Sequence, residues 1–328
     1  MERIENFRTK YKGLIMPLVS VVVPTYNRLP ILKETIESVL AQDFSDLELI
    51  VVDDGSTDNT REFIEAIKDT RVHYFYKENG GVASARNFGF SKSSGKYIFN
   101  LDSDDYWTLG FLEIMVPIME ANPEYGAFYA KRTLLFPDGT TKESFETEHP
   151  KSGWITRELF LEKSKCPVHT SGTGFRKKEL EGVPYDENLW NSADFDYWLR
   201  LSTKIRFLYV PDAAFIYRTD HNVNPRTSFS RENGNRIRIL ERFFFKLEGK
   251  QIIPKKQAFK KISHAYYSVG KTHFKRKHRA IAIFMFKHMI RYYPFDLRSY
   301  IYTAKALLLK KNEDNMRDWT MPPALLEI

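Results

Sequence analysis

Apolar residues follow two rhythms along this chain. In the N-terminal part they come as short runs, over residues 19–23, 49–52, 72–76 and 97–101, each of strand length. Between the runs, residues 31–40, 57–67 and 82–90 place apolar side chains at helical spacing instead. Strands alternating with helices predict a mostly parallel sheet covered by helices. From residue 151 to about 217 the order is mixed: a helix over 156–163, a glycine-rich Ser171-Gly172-Thr173-Gly174, a helix over 195–202 and a strand over 206–210. This stretch is expected to complete the sheet and to build the acceptor side. After Asn224-Pro225-Arg226 the pattern is helical only, over 237–247, 257–271, 279–292 and 299–309. The expected organisation is an extension over 1–15, an α/β domain over 16–225 and a helical, basic C-terminal region over 226–328.

In a sheet of this kind, ligands bind in the crevice beyond the carboxyl ends of the strands. The unusual polar residues fall at those ends. Pro24-Thr25-Tyr26-Asn27-Arg28 follows the first strand, Asp53-Asp54-Gly55-Ser56 the second, residues 77–81 the third and Asp102-Ser103-Asp104-Asp105 the fourth. Three carboxylates within four residues repel one another unless a cation neutralises them, and hard oxygen ligands suit Mg²⁺ or Mn²⁺. The alternative is an acidic turn capping a helix over 109–120; the position at the sheet edge favours the metal. Asp54 can accept the imide N–H of a base or simply form a turn. Asn79-Gly80-Gly81, followed by Ala83, Ala85, Arg86 and Asn87, offers flexible backbone and a cation for a pyrophosphate, or a glycine turn beside a surface arginine. Asp194, in Ser192-Ala193-Asp194-Phe195-Asp196, caps a helix or takes a proton from an attacking hydroxyl, and the two roles are compatible. His221 is a loop histidine, or a contact to metal, phosphate or acceptor.

Composition narrows the class. With 42% hydrophobic and 28% charged residues the chain is that of an ordinary folded protein, not a disordered one. The lone cysteine, Cys166, excludes an internal disulfide and a cysteine-based zinc site, and suits a reducing compartment. No run approaches the roughly 20 apolar residues of a spanning helix, and the N-terminus shows no secretory pattern, so a cytoplasmic protein is expected. The net charge of +8 is unevenly spread: residues 255–311 interleave Lys and Arg with Phe and Tyr. Peripheral contact with the inner membrane face is expected from this region, with residues 271–291 as the anchor. A partner-binding hairpin competes with that expectation, and no nucleic-acid motif is present.

Taken in order, Val19-Ser20-Val21-Val22-Val23-Pro24-Thr25-Tyr26-Asn27-Arg28, Asp53-Asp54-Gly55-Ser56-Thr57-Asp58, Ala85-Arg86-Asn87, Asp102-Ser103-Asp104-Asp105 and Asp194-Phe195-Asp196 resemble the inverting family 2 glycosyltransferases over about residues 16–222. The resemblance implies a GT-A fold: a Rossmann-like α/β mixed sheet flanked by helices, here with a C-terminal helical extension. It implies a nucleoside-diphosphate sugar donor, UDP-linked, and a glycan or lipid-linked acceptor in surface polysaccharide or glycolipid synthesis. Thr25, Tyr26 and Asp54 would contact the nucleoside and Arg86 the diphosphate, with Pro24, Arg28, Asn79, Gly81 and Ser103 at the same strand tips. Asp102 and Asp104 would form the DxD motif for Mn²⁺ or Mg²⁺, with Asp105 and His221 as further metal candidates. Asp194 would be the base of a hexosyl- or N-acetylhexosaminyltransferase. Family members usually carry Glu before that Asp; here the residue is Ala193. Two rivals share the motifs: a sugar nucleotidyltransferase, and a non-catalytic nucleotide-sugar-binding scaffold.

Overall fold

A computed structural model describes residues 16–144, 151–162, 166–189, 191–220 and 229–309. Contacts divide the chain into two compact units, one of residues 1–153, 167–187 and 205–224, the other of residues 154–166, 188–204 and 225–328.

The first unit is built on one mixed sheet. Strands β1 (Val19–Thr25), β2 (Leu47–Asp53), β3 (Val72–Tyr76) and β4 (Tyr97–Asn100) run parallel in the order β3-β2-β1-β4. Every residue of β1, β2 and β4 is buried, as expected of parallel strands covered on both faces. Helices α1 (Leu29–Leu40), α2 (Thr60–Glu65) and α3 (Val82–Lys92) connect them. α3 lies unusually close to β1 because Gly89 has no side chain: a Cβ there would stand 2.3 Å from Val22 Cγ1. Leu32, Ile36 and Val39 of α1 and Phe111, Met115 and Met119 of α4 (Phe111–Ala121) share a core with Val21, Val23, Phe99 and Leu101.

The sheet then continues with strands the apolar pattern does not announce. β5 (Tyr106–Trp107), β6 (Ala127–Leu135), β7 (Thr141–Ser144) and β8 (Thr173–Arg176) precede β9 (Phe207–Arg218), and the full order is β3-β2-β1-β4-β8-β6-β9-β5 with β7 on β6. β8 is antiparallel to β4 and pairs Asn100 with Thr173, which brings Ser171, in the turn just before β8, to the end of β4. β9 runs eight residues beyond the expected stop at 210. Pro211, Asp212 and Ala213 occupy the shift in the β6–β9 register, where Val210 pairs with Ala130 and Ala214 with Lys131.

The second unit is helical: α5 (Thr156–Leu161), α6 (Ala193–Ser202), α7 (Phe229–Lys246), a single turn over Gly249–Ile252, α8 (Lys255–Lys275), α9 (Arg279–Tyr292) and α10 (Leu297–Leu307). Ile281, Ala282, Met285, Phe286 and Met289 of α9 are buried, so the apolar residues of 271–291 form a packed interior and not the exposed anchor expected from sequence. The Glu241 carboxylate, 1% exposed, accepts hydrogen bonds from the hydroxyls of Tyr266 and Tyr292, both at 2.7 Å. One buried acid thereby links α7, α8 and α9. Among the described residues, no helix is long and apolar enough to cross a membrane.

Candidate active site

The register of the parallel strands aligns their ends: Thr25 pairs with Asp53, and Asp53 with Tyr76. The polar segments that follow are interlocked. Asn27, in a left-handed conformation at φ 52°, accepts from Thr57 N–H at 2.7 Å and donates its own N–H to Ser56 Oγ at 2.9 Å. The first and second loops are therefore fixed against each other. Thr25 is 3% exposed, and its hydroxyl has no hydrogen-bond partner among the described residues. An unsatisfied buried hydroxyl at a strand tip is costly unless a ligand meets it. Tyr26, 48% exposed, carries its ring on the open edge.

Asp54 closes the third loop. Its carboxylate accepts from Lys77 Nζ at 2.7 Å, Gly80 N–H at 3.0 Å and Gly81 N–H at 2.8 Å. A carboxylate has about four acceptor positions, so one remains for a base N–H after the loop is held. Gly81 sits at φ 86°, a conformation that favours glycine, and starts α3. One turn further on, Arg86, 5% exposed, donates through Nη2 to Asp102 Oδ1 at 2.5 Å and lies over the Tyr185 ring at 5.3 Å. Asn87 binds the same loop by paired bonds: Tyr185 N–H donates to Asn87 Oδ1 at 2.8 Å, and Asn87 Nδ2 to the Tyr185 carbonyl at 3.0 Å.

Asp102, Asp104 and Asp105 each offer an oxygen within 4.8 Å of the others. Their backbone is pinned from below: Thr35 Oγ1 of α1 donates to the carbonyls of Ser103 (3.0 Å) and Asp105 (2.8 Å). Arg28 Nη1 donates to Asp104 Oδ2 at 2.7 Å. Ser171 Oγ donates to Asp105 Oδ2 at 2.5 Å and accepts from Asp102 N–H at 3.2 Å, while its carbonyl accepts from Trp107 Nε1 at 2.7 Å. Burial pushes the Asp104 carboxyl above its usual range in spite of Arg28. Burial, followed by the charges of Asp104 and Asp102, pushes Asp105 well above it. Three hard oxygens and an acid that resists ionisation fit a divalent cation, which would take carboxylate oxygens that Arg28 and Arg86 now engage.

The strand-tip candidates Pro24, Thr25, Tyr26, Arg28, Asp54, Asn79, Gly81, Arg86, Asp102, Ser103, Asp104 and Asp105 all belong to the first unit. Ser103 contributes its carbonyl to Thr35, and Asn79 packs on the positive-φ turn at Gly55. Ser171 and Tyr185, absent from the sequence-derived set, hold Asp105 and underlie Arg86. The only sequence signal for either was the run of small residues from Ser171 to Gly174, which reads as a loop. Asp194 belongs to the second unit, in the first turn of α6; its Oδ1 accepts from Phe195 N–H at 2.7 Å, and the side chain is half-buried. Its neighbour Asp196, 2% exposed, is taken up by ion pairs with Arg200 at 2.8 Å and with Arg242. His221 lies outside the described residues. Cys166 is a half-buried thiol.

A family model described as glycosyl transferase family 2 matches residues 20–182. An uncharacterized glycosyltransferase of Rickettsia bellii is 50% identical over 188 residues, 57% of this chain and 26% of that protein. The chain thus spans about a quarter of that relative's length. The GalNAc(5)-diNAcBac-PP-undecaprenol beta-1,3-glucosyltransferase of Campylobacter jejuni is 28% identical over 282 residues, 84% of this chain and 89% of that one. Among solved structures, S. aureus TarS 1-349 superposes with a TM-score of 0.63 at 18% identity, covering 88% of each chain. The same fragment in complex with UDP-GlcNAc gives a TM-score of 0.56 at 17% identity, covering 86% of this chain and 91% of that one. At such identity the likeness shows the shared GT-A fold.

Proposed function

We propose that the chain is a family 2 glycosyltransferase, as the family model over residues 20–182 and the Rickettsia relative support, and that it moves a sugar from a UDP-linked donor to an acceptor hydroxyl with inversion. The observation that carries this reading is the gathering of Thr25, Asp54, Gly81, Arg86 and the three aspartates at one edge of the sheet.

Each group has a role suited to its surroundings. The Thr25 hydroxyl and the remaining Asp54 acceptor position meet the base and ribose, with the exposed Tyr26 ring as a stacking surface. Arg28 and Arg86, now paired with Asp104 and Asp102, supply positive charge for a diphosphate. Asp102, Asp104 and Asp105 would hold Mg²⁺ or Mn²⁺, which when bound stabilises charge on the departing diphosphate by several kcal/mol. Motif order alone assigns Asp194 the acceptor proton, a contribution of about 10²- to 10⁴-fold. Ala193 replaces the customary Glu, so that assistance falls to Asp194 without a neighbouring acid. The Campylobacter relative's name specifies a lipid-linked acceptor; by that analogy the acceptor here is lipid-linked or polymeric, in surface glycolipid or polysaccharide synthesis, and the protein works at the cytoplasmic membrane face.

The test is release of nucleoside diphosphate from UDP-, GDP- and dTDP-sugars with Mn²⁺, Mg²⁺ or EDTA, comparing the wild type with Asp104→Ala. Metal-dependent turnover of a UDP-sugar, lost in the variant, is expected. Release of pyrophosphate from a sugar phosphate and UTP would place the protein among the nucleotidyltransferases instead. Donor binding without turnover on any lipid-linked or polysaccharide acceptor would favour the scaffold.

A further inference from the structure

The last described helix is amphipathic with its apolar side outward. Along α10 and its C-cap, Leu297, Tyr300, Ile301, Ala304 and Leu308 recur at the i, i+3, i+4, i+7 spacing of one helical face, and all are exposed. Leu297 is 73% exposed, Ile301 51% and Leu308 85%, and Phe295 just before the helix is 83% exposed. The opposite face holds the helix in place: Ser299 and Ala306 are fully buried, and the Tyr302 ring lies 5.5 Å from that of Tyr267 on α8 and 5.4 Å from that of Phe286 on α9. Asp296 caps the helix by accepting from Arg298 N–H at 3.1 Å. The stripe therefore belongs to an anchored element.

Cations lie beside the helix, about the tyrosine rings that anchor it. Lys305 Nζ lies 5.7 Å from the centre of the Tyr302 ring and Lys271 Nζ 5.8 Å from that of Tyr267. Arg298 lies over the Tyr267 ring at 4.8 Å. Beside them α8 opens a groove of about 260 Å³ lined by His264, Tyr267, Ser268, Lys271, Thr272 and Lys275, hydroxyls and ammonium groups suited to a phosphate. Residues 255–311 contain fifteen Lys and Arg but a single acid, Asp296, in a chain whose net charge is +8. That acid is already paired with Arg298.

We propose that the outward face of α10 is a membrane-docking surface, which lays Leu297, Ile301 and Leu308 into an anionic phospholipid interface with Lys271, Lys275, Arg298 and Lys305 on the headgroup phosphates. Charge selects this occupant. A second copy of the chain would bring an equally cationic surface against the first, whereas an anionic bilayer neutralises the cations and covers the aliphatic stripe together. A nucleic acid would satisfy the charge but leave Leu and Ile facing a polar backbone. The inference uses no residue of the donor site, so it stands or falls apart from the transfer reaction.

The test uses the full chain and vesicles of phosphatidylcholine, alone or with about one-third phosphatidylglycerol, at low and high salt. Binding is expected to the anionic vesicles only and to weaken in high salt. Ile301→Asp with Leu308→Asp should weaken it about tenfold or more. Lys271→Gln, Lys275→Gln and Lys305→Gln together should do the same through the charge alone, on a variant that keeps the packed face intact. Circular dichroism of both variants should match the wild type. Sedimentation equilibrium on the same samples distinguishes the rival occupant. Absence of vesicle binding, binding indifferent to both variants, or a wild-type dimer that the aspartates dissociate would overturn the proposal.

Discussion

Asp105 is the most penalised group of the aspartate cluster. It is 3% exposed, its hydrogen bond from Ser171 is its chief compensation, and burial with two neighbouring carboxylates raises its pKa well above the usual value. Because the folded value exceeds the unfolded one, the unfolded chain gives up this proton first as pH rises. Stability of the metal-free protein therefore falls from the ordinary aspartate range upward, until the folded group also ionises. Asp105→Asn removes the titration while keeping the shape. It should raise the melting temperature of the metal-free protein at neutral pH, and the gain should vanish only as pH falls to about 4, the ordinary aspartate value, as read by scanning fluorimetry. Mn²⁺ should stabilise the wild type by about 2.7 kcal/mol at a hundredfold excess over its dissociation constant, and should do so much less in Asp104→Ala. A lower melting temperature for Asp105→Asn at neutral pH would mean that Asp105 is a structural anion and not a strained ligand.

At the scale of elements, the legible half of the fold is the half buried on both faces. Strands β1, β2 and β4 are mostly apolar and fully buried because helices cover them on each side, and the polar residues at their ends then stand out. The rest of the sheet hides for local reasons. β5 has two residues; β8 is Thr-Gly-Phe-Arg, with Gly174 leaving room for the Phe99 ring at 2.4 Å from a hypothetical Cβ; β6 carries a buried Arg132 in its middle. The same blindness extends to the site: Ser171 reaches the aspartates only because β8 inserts beside β4, a pairing no periodicity reveals. Among the helices, sequence spacing finds α8, α9 and α10 but not which face of each is covered. α9 buries its apolar side chains and α10 exposes them. What holds α7, α8 and α9 together is more specific than apolar packing. Glu241→Ala would leave two tyrosine hydroxyls buried without their acceptor, and is expected to cost about 3 kcal/mol in urea unfolding, whereas Glu241→Gln should cost less because an amide oxygen still accepts. Equal losses for the two variants would assign the stability to the charge of Glu241.

Across the whole molecule, the residues proposed for the chemistry fall in both units. Every strand-tip residue proposed for donor and metal lies in the first, and Asp194 lies in the second. Within Asp194-Phe195-Asp196, the ion pairs with Arg200 and Arg242 occupy the buried Asp196 and leave Asp194 as the more accessible carboxylate. An accessible carboxylate whose charge no described ion pair engages suits a proton acceptor better than a buried, doubly paired one, and that difference supports the assignment made from motif order. Asp194→Asn keeps the volume and the hydrogen bond from Phe195 N–H while removing the basic oxygen. If donor recognition is confined to the first unit, calorimetric affinity for a UDP-sugar should stay unchanged, and the transfer rate should fall by about 10²- to 10⁴-fold. A loss of donor affinity of similar size would make Asp194 a binding residue, and the proton would then have to leave by another group.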